Sequence, residues 1–183
     1  MGTEAHVGPG EGSMGITIHY RGRLGQKVKA RELYIFASLI CKEKGWEISG
    51  FAETEGEAML DHPDGEIPYT GKLSTFAITL HENCEQLTFQ VTADGYFKNW
   101  CKTQFAPLEV HRGIVDMFSQ LKIKLGELVI QDEGGYWETR NAEALEERIV
   151  KCFMEMQNTK DEDPEYYGPT KSSENGRITD LVK

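Results

Sequence analysis

The chain has 183 residues, of which 39% are hydrophobic and 27% charged, and its formal net charge is -10. That length suits one domain with short appendages. No apolar run approaches the roughly 20 residues of a membrane span. An acidic chain repels phosphates, so nucleic acid is not expected as a partner.

Residues 1–15 lack the basic and apolar regions of a secretory signal and read as an appended tag or a disordered arm. A single domain is expected over 16–157, with a polar flexible tail over 158–183. The four cysteines, Cys41, Cys84, Cys101 and Cys152, show no C-x-x-C pairing. Without an export signal, four reduced thiols and a cytoplasmic location are expected.

Residues 16–20 alternate apolar and polar, which predicts a half-buried strand with Thr17, His19 and Arg21 on its polar face. Gly22 and Gly25 are expected to break it. Leu33, Phe36, Ala37 and Ile40 then mark the apolar face of a helix over 27–44, with Gly45 placed to end it. A second strand follows over 46–51. Residues 53–72 are acidic and carry Pro63, Pro68 and several glycines, so they read as a long loop.

Phe76, Ile78 and Leu80, then Leu87, Phe89 and Val91, alternate as two antiparallel strands. Asp94-Gly95 predicts a two-residue turn into Tyr96–Trp100, which would put Phe89 and Trp100 on one sheet face. Pro107 suits the first turn of a helix, and Leu128–Ile130 reads as a short strand. Asn141 is placed to cap a last helix over 142–156, with Leu145, Ile149, Cys152, Phe153 and Met156 on its buried face. The order β-α-β-β-β-β-α-β-α predicts an α+β two-layer sandwich, mostly antiparallel with helices on one face, as a ferredoxin-like variant.

Chain direction then brings three loops, 81–86, 101–106 and 132–138, to one sheet edge. A right-handed crossover through the helix from Pro107 places the third of them. His111, one turn into that helix, should lie beneath the edge. Lys102, Thr103 and Gln104 lead into the helix N-terminus, where unpaired N–H groups favour an anion. Tyr136 and Trp137 beside two glycines suit ligand contact. His111 with Asp132 or Glu133 is the candidate catalytic set, although a histidine bordering an apolar face is more often a hydrogen-bonded core group. His81, Cys84 and His111 are the candidate metal ligands, and H-x-x-C in a hairpin is weak evidence for zinc.

No G-x-S-x-G, Walker loop, H-E-x-x-H or G-x-G-x-x-G occurs, and no cofactor is indicated. The expected function is therefore a binding or regulatory module for a small molecule or protein, with its site at the three-loop edge. A small hydrolase, with or without a metal, is the alternative.

Overall fold

The structure is a computed structural model that describes residues 15–62 and 65–183. All but the last residue of the 1–15 segment therefore lies outside the described residues. The chain forms β1 (Thr17–Leu24), α1 (Ala30–Lys44), β2 (Glu47–Ile48), β3 (Ala52–His62), β4 (Gly65–Thr79), β5 (Leu87–Thr92) and β6 (Tyr96–Lys102). It continues through α2 (Leu108–Leu121), β7 (Leu125–Asp132), α3 (Tyr136–Thr139), α4 (Ala142–Glu162), β8 (Thr170–Lys171) and β9 (Ile178–Thr179). The fold is α+β and its strand pairs are antiparallel.

Hydrogen bonding gives the strand paths β6-β1-β7 and β2-β4-β3, with β5 on the other side of β4. β1 is antiparallel to both neighbours, so β6 and β7 run the same way with β1 between them. A ferredoxin-like strand order is not among these paths. One apolar core joins the layers: Ile18, Tyr20, Phe76, Ile78, Phe89 and Phe97 from the strands meet Leu33, Ile40, Ile114, Phe118 and Leu145 from α1, α2 and α4.

Several elements differ from expectation for identifiable reasons. Gly22 does not break β1; it lies inside the strand, opposite Phe97 and Leu128. A Cβ there would come within 2.5 Å of the Glu127 carbonyl oxygen and 2.7 Å of the Phe97 ring. Only a residue without a side chain lets the three strands close. Residues 53–72 are not a loop but most of the β3–β4 hairpin, an arm paired from Ala52↔Thr75 to His62↔Gly65. Along β4 the residues before Leu73 are all exposed or half-buried, so the arm shows no apolar alternation.

The β5–β6 turn holds three residues rather than two. The Gly95 amide donates to the Thr92 carbonyl at 2.9 Å, and only Gly95 there has positive φ, at 85°. This is a type I turn followed by a left-handed glycine. The extra residue shifts the register by one and exchanges faces. Phe89 therefore contacts Phe97, with ring centroids 5.5 Å apart, while Trp100 points outward and is 46% exposed.

Asn141 caps α4 as expected, accepting from the Ala144 amide. Leu145, Cys152 and Met156 are buried, Ile149 is half-buried, and Phe153 is exposed with its edge against Phe105. α4 runs on to Glu162, and the segment read as a tail folds back as β8 and β9.

Gly22→Ala should cost about 1–3 kcal/mol, as expected for overpacking. Gly50, whose Cβ would meet nothing within 4 Å, should tolerate alanine to within about 0.5 kcal/mol. Urea midpoints of the two variants check this, and equal losses would show that β1 relaxes around an added methyl.

Candidate functional site

The three loops do meet at one edge, and His111 lies beneath them. The Asp132 carboxylate accepts from His111 Nε2 at 3.1 Å, from the Gly134 amide at 2.8 Å and from the Trp137 amide at 2.8 Å. His111 Nδ1 lies 2.7 Å from Thr103 Oγ1. With Nε2–H donated to the carboxylate, the ring's second nitrogen is left for the threonine hydroxyl, so both ring nitrogens are partnered. Gly134 is required by closeness, since a Cβ would sit 2.5 Å from Leu145 and 3.0 Å from the His111 ring.

A hydroxyl–imidazole–carboxylate series is the wiring of nucleophilic catalysis, but here all three residues are buried, Thr103 and His111 at 1% exposure. Such groups pin β7, α2 and the 101–106 loop together. Burial, the largest influence on Asp132, pushes its pKa up. The His111 bond and charge and the two amides outweigh it, holding the carboxyl below its usual range.

The remaining edge residues are similarly engaged. Gln104, 1% exposed, accepts from the Ile16 amide at 2.9 Å and donates to Met156 Sδ at 3.2 Å. Glu133 accepts from the Thr17 amide at 2.9 Å and lies 3.4 Å from His19 Nε2. Lys102 pairs with Asp180 at 2.7 Å, Tyr136 is buried against His111, and Trp137 is half-buried against the core. Cys84 and Cys101 are buried with sulfurs 3.8 Å apart. The hydrogen bond shared with Cys84, then burial, holds the Cys101 thiol well above its usual range. His81 stands apart, with Nδ1 accepting the Asn83 amide at 3.1 Å. The candidate metal ligands His81, Cys84 and His111 are thus occupied separately. Among the described residues, no group of three His, Cys, Asp or Glu side chains is arranged to hold a metal.

The C-terminal segment closes over this edge. Lys171 Nζ donates to the Glu82 and Cys84 carbonyls at 2.8 and 2.9 Å. Arg177 donates to Glu85, Asn99 and the Trp100 carbonyl, and the Ile178 amide donates to Glu85 at 2.8 Å.

One groove lies on the outer face of β6-β1-β7. Register and alternation set its side chains in rows across the three strands: Trp100, His19 and Gln131 in one, Lys98, Arg21 and Val129 in the next. Asp61 from the β3–β4 arm reaches over the second row and binds both Arg21 and Lys98. These residues line a groove of about 370 Å³. Arg177 lies 4.1 Å from the centre of the Trp100 ring and covers part of its surface. The polar face of β1, with His19 and Arg21, was legible from alternation. Trp100 was set on the face of Phe89 by the expected two-residue turn, and Asp61 was hidden in a supposed loop. Set against protein-family models, curated proteins and solved structures, the chain matches none.

His111→Ala should cost on the order of 1–3 kcal/mol, because Asp132 and Thr103 lose a buried partner. Asp132 has a depressed folded pKa, so its contribution is present above the ordinary carboxylate pKa and is lost as pH falls through the folded value. Asp132→Asn should therefore be less stable than wild type at pH 7, with the gap closing in acid. Urea midpoints from pH 7 to pH 3 measure it, and a gap that stays constant with pH would refute the linkage.

Proposed function

We propose that the protein is a binding module for a small molecule, seated in the groove on the outer face of β6-β1-β7. The observation that carries this reading is the groove itself: an exposed indole, an imidazole, an amide and two cations converge in a concavity of about 370 Å³. Ligand sites combine apolar surface with a few placed polar groups in this way. The floor of the groove is the paired backbone of β6, β1 and β7, and Gln131 and Trp100 place it next to the edge where loops 81–86, 101–106 and 132–138 meet. Groups poised on regular strands are held more firmly than groups on loops.

The buried relay at His111 supports a structural role better than a hydrolytic one, since no described cavity reaches it. Membrane attachment finds no support in the helices: among the described residues none is long and apolar enough to cross a bilayer. The four free, buried cysteines suit a reducing compartment, which favours the cytoplasm.

A thermal-shift screen of metabolite-sized compounds tests the reading, run on wild type and Trp100→Ala. The outward Trp100 should be dispensable for folding, with a urea midpoint within about 0.5 kcal/mol of wild type. Compounds that raise the wild-type melting temperature should lose that effect in Trp100→Ala. Hits that stabilise both proteins equally bind elsewhere and would overturn the assignment.

A further inference from the structure

Arg21 and Lys98 lie directly opposite each other across β1 and β6, with both side chains on the outer face. Like charges facing across a strand pair repel and destabilise it. Here the repulsion is relieved by one carboxylate: Arg21 Nη1 donates to Asp61 Oδ2, and Lys98 Nζ donates to Oδ1 at 2.6 Å. Lys98 also meets Glu66, Asp61's partner across the arm. The Asp61 amide is 3.4 Å from the Tyr96 hydroxyl. One cation on each carboxylate oxygen is the arrangement with which a protein grips an anionic ligand. The carboxylate supplying it comes from a separate arm, not from the sheet.

The next row continues the site. Trp100 and His19 lie beside the cation pair on the same face, Val129 flanks Arg21 on β7, and all of them line one groove with Asp61. A ligand with an acid head on Arg21 and Lys98 would have a flat apolar surface beneath its body, and His19 and Gln131 within reach of its polar substituents. The head-group position is filled by Asp61, with Glu66 beside it on Lys98, and Arg177 covers part of the Trp100 ring.

We infer that the groove recognises small organic anions, carboxylates or phosphates on a flat apolar body, and that Asp61 occupies the anion seat as an intramolecular stand-in which the ligand displaces. The inference rests on the reading of the groove as the ligand site and adds the ligand's charge and the gate. Displacement exchanges one anion for another on the same two cations, so the sheet keeps its charge balance and only the arm's hold on it changes.

The test uses benzoate and phenyl phosphate as probes and benzamide as their neutral counterpart. Binding is followed by titration calorimetry and by the indole N–H resonance of Trp100. If Asp61 fills the seat about nine-tenths of the time, Asp61→Asn should bind the anionic probes about tenfold more tightly. Adding Arg21→Gln should erase the gain, raising salt should weaken anion binding, and benzamide should be indifferent to all three changes. Preference for phenyl phosphate or benzoate assigns the head group, and either supports the inference. Urea midpoints of both variants confirm that the fold is retained.

Anion binding of equal strength in wild type and Asp61→Asn would overturn the stand-in. Benzamide binding as tightly as benzoate, still abolished by Trp100→Ala, would overturn the anion seat and leave the groove reading intact. No probe perturbing the Trp100 resonance in any variant would overturn both.

Discussion

The structure depends on the double pairing of β1. Hydrogen-bonded along both edges, to β6 and β7, it leaves its side chains only two directions. Ile18 and Tyr20 go down into the core against α2, and His19, Arg21 and Arg23 go up to solvent. That period of two divides the protein's labour. The lower face is closed by aromatic contacts, such as Tyr20 with Phe118 at 5.0 Å and with Phe89 at 5.7 Å. The upper face carries the groove. Gly22 is the condition for both, because any side chain there would push β6 and β7 away from their shared neighbour.

A buried polar network at the end of such a sheet is costly unless every member is bonded. At the loop edge that condition is met by reciprocity: Thr103, His111 and Asp132 satisfy one another, and the amides of Gly134 and Trp137 complete the carboxylate. The same residues that composition marks as reactive are therefore those the fold has spent on its own geometry. Reactivity needs an unsatisfied or exposed group, and more accessible polar groups lie one face away, where His19 and Trp100 line the groove.

How much could be read from the sequence depended on where burial imposed a pattern. β1, α1 with Gly45, the Pro107 start of α2 and the Asn141 cap all carry signals set by the core or by unpaired helix ends, and each formed, although β1 runs on through Gly22 to Leu24. The three loops also meet, which follows from strand direction together with the crossover through α2. The β3–β4 arm was unreadable because strands wet on both faces have no alternation, and its prolines and glycines mimic a loop. The β5–β6 turn was ambiguous for a different reason. Asp94-Gly95 suits a two-residue turn, yet with Asp94 outside the positive-φ region the chain takes the three-residue form, and that single residue moved Trp100 from core to surface. The C-terminal segment was misleading because its docking is polar: Lys171, Arg177 and Asp180 hold it through side chains that look solvated in a sequence.

Charge placement links these points. A chain of net charge -10 has gathered Arg21, Arg23, Lys98 and Lys102 on one face of β1 and β6, with Arg21 and Lys98 directly opposite. Each is met by an acid from outside β6-β1-β7: Asp61 for Arg21 and Lys98, Asp94 for Arg23 and Asp180 for Lys102. Exposed ion pairs contribute little stability singly, so this ring of acids is a weak reason for the fold and a better one for selectivity. On the proposed reading, a cationic floor inside an anionic rim disfavours large polyanions, whose charge extends beyond the groove, while a compact anion replaces one acid at a time. The acidity of the whole chain and the basicity of one sheet face are, on that reading, parts of one device for selecting compact anions over extended ones.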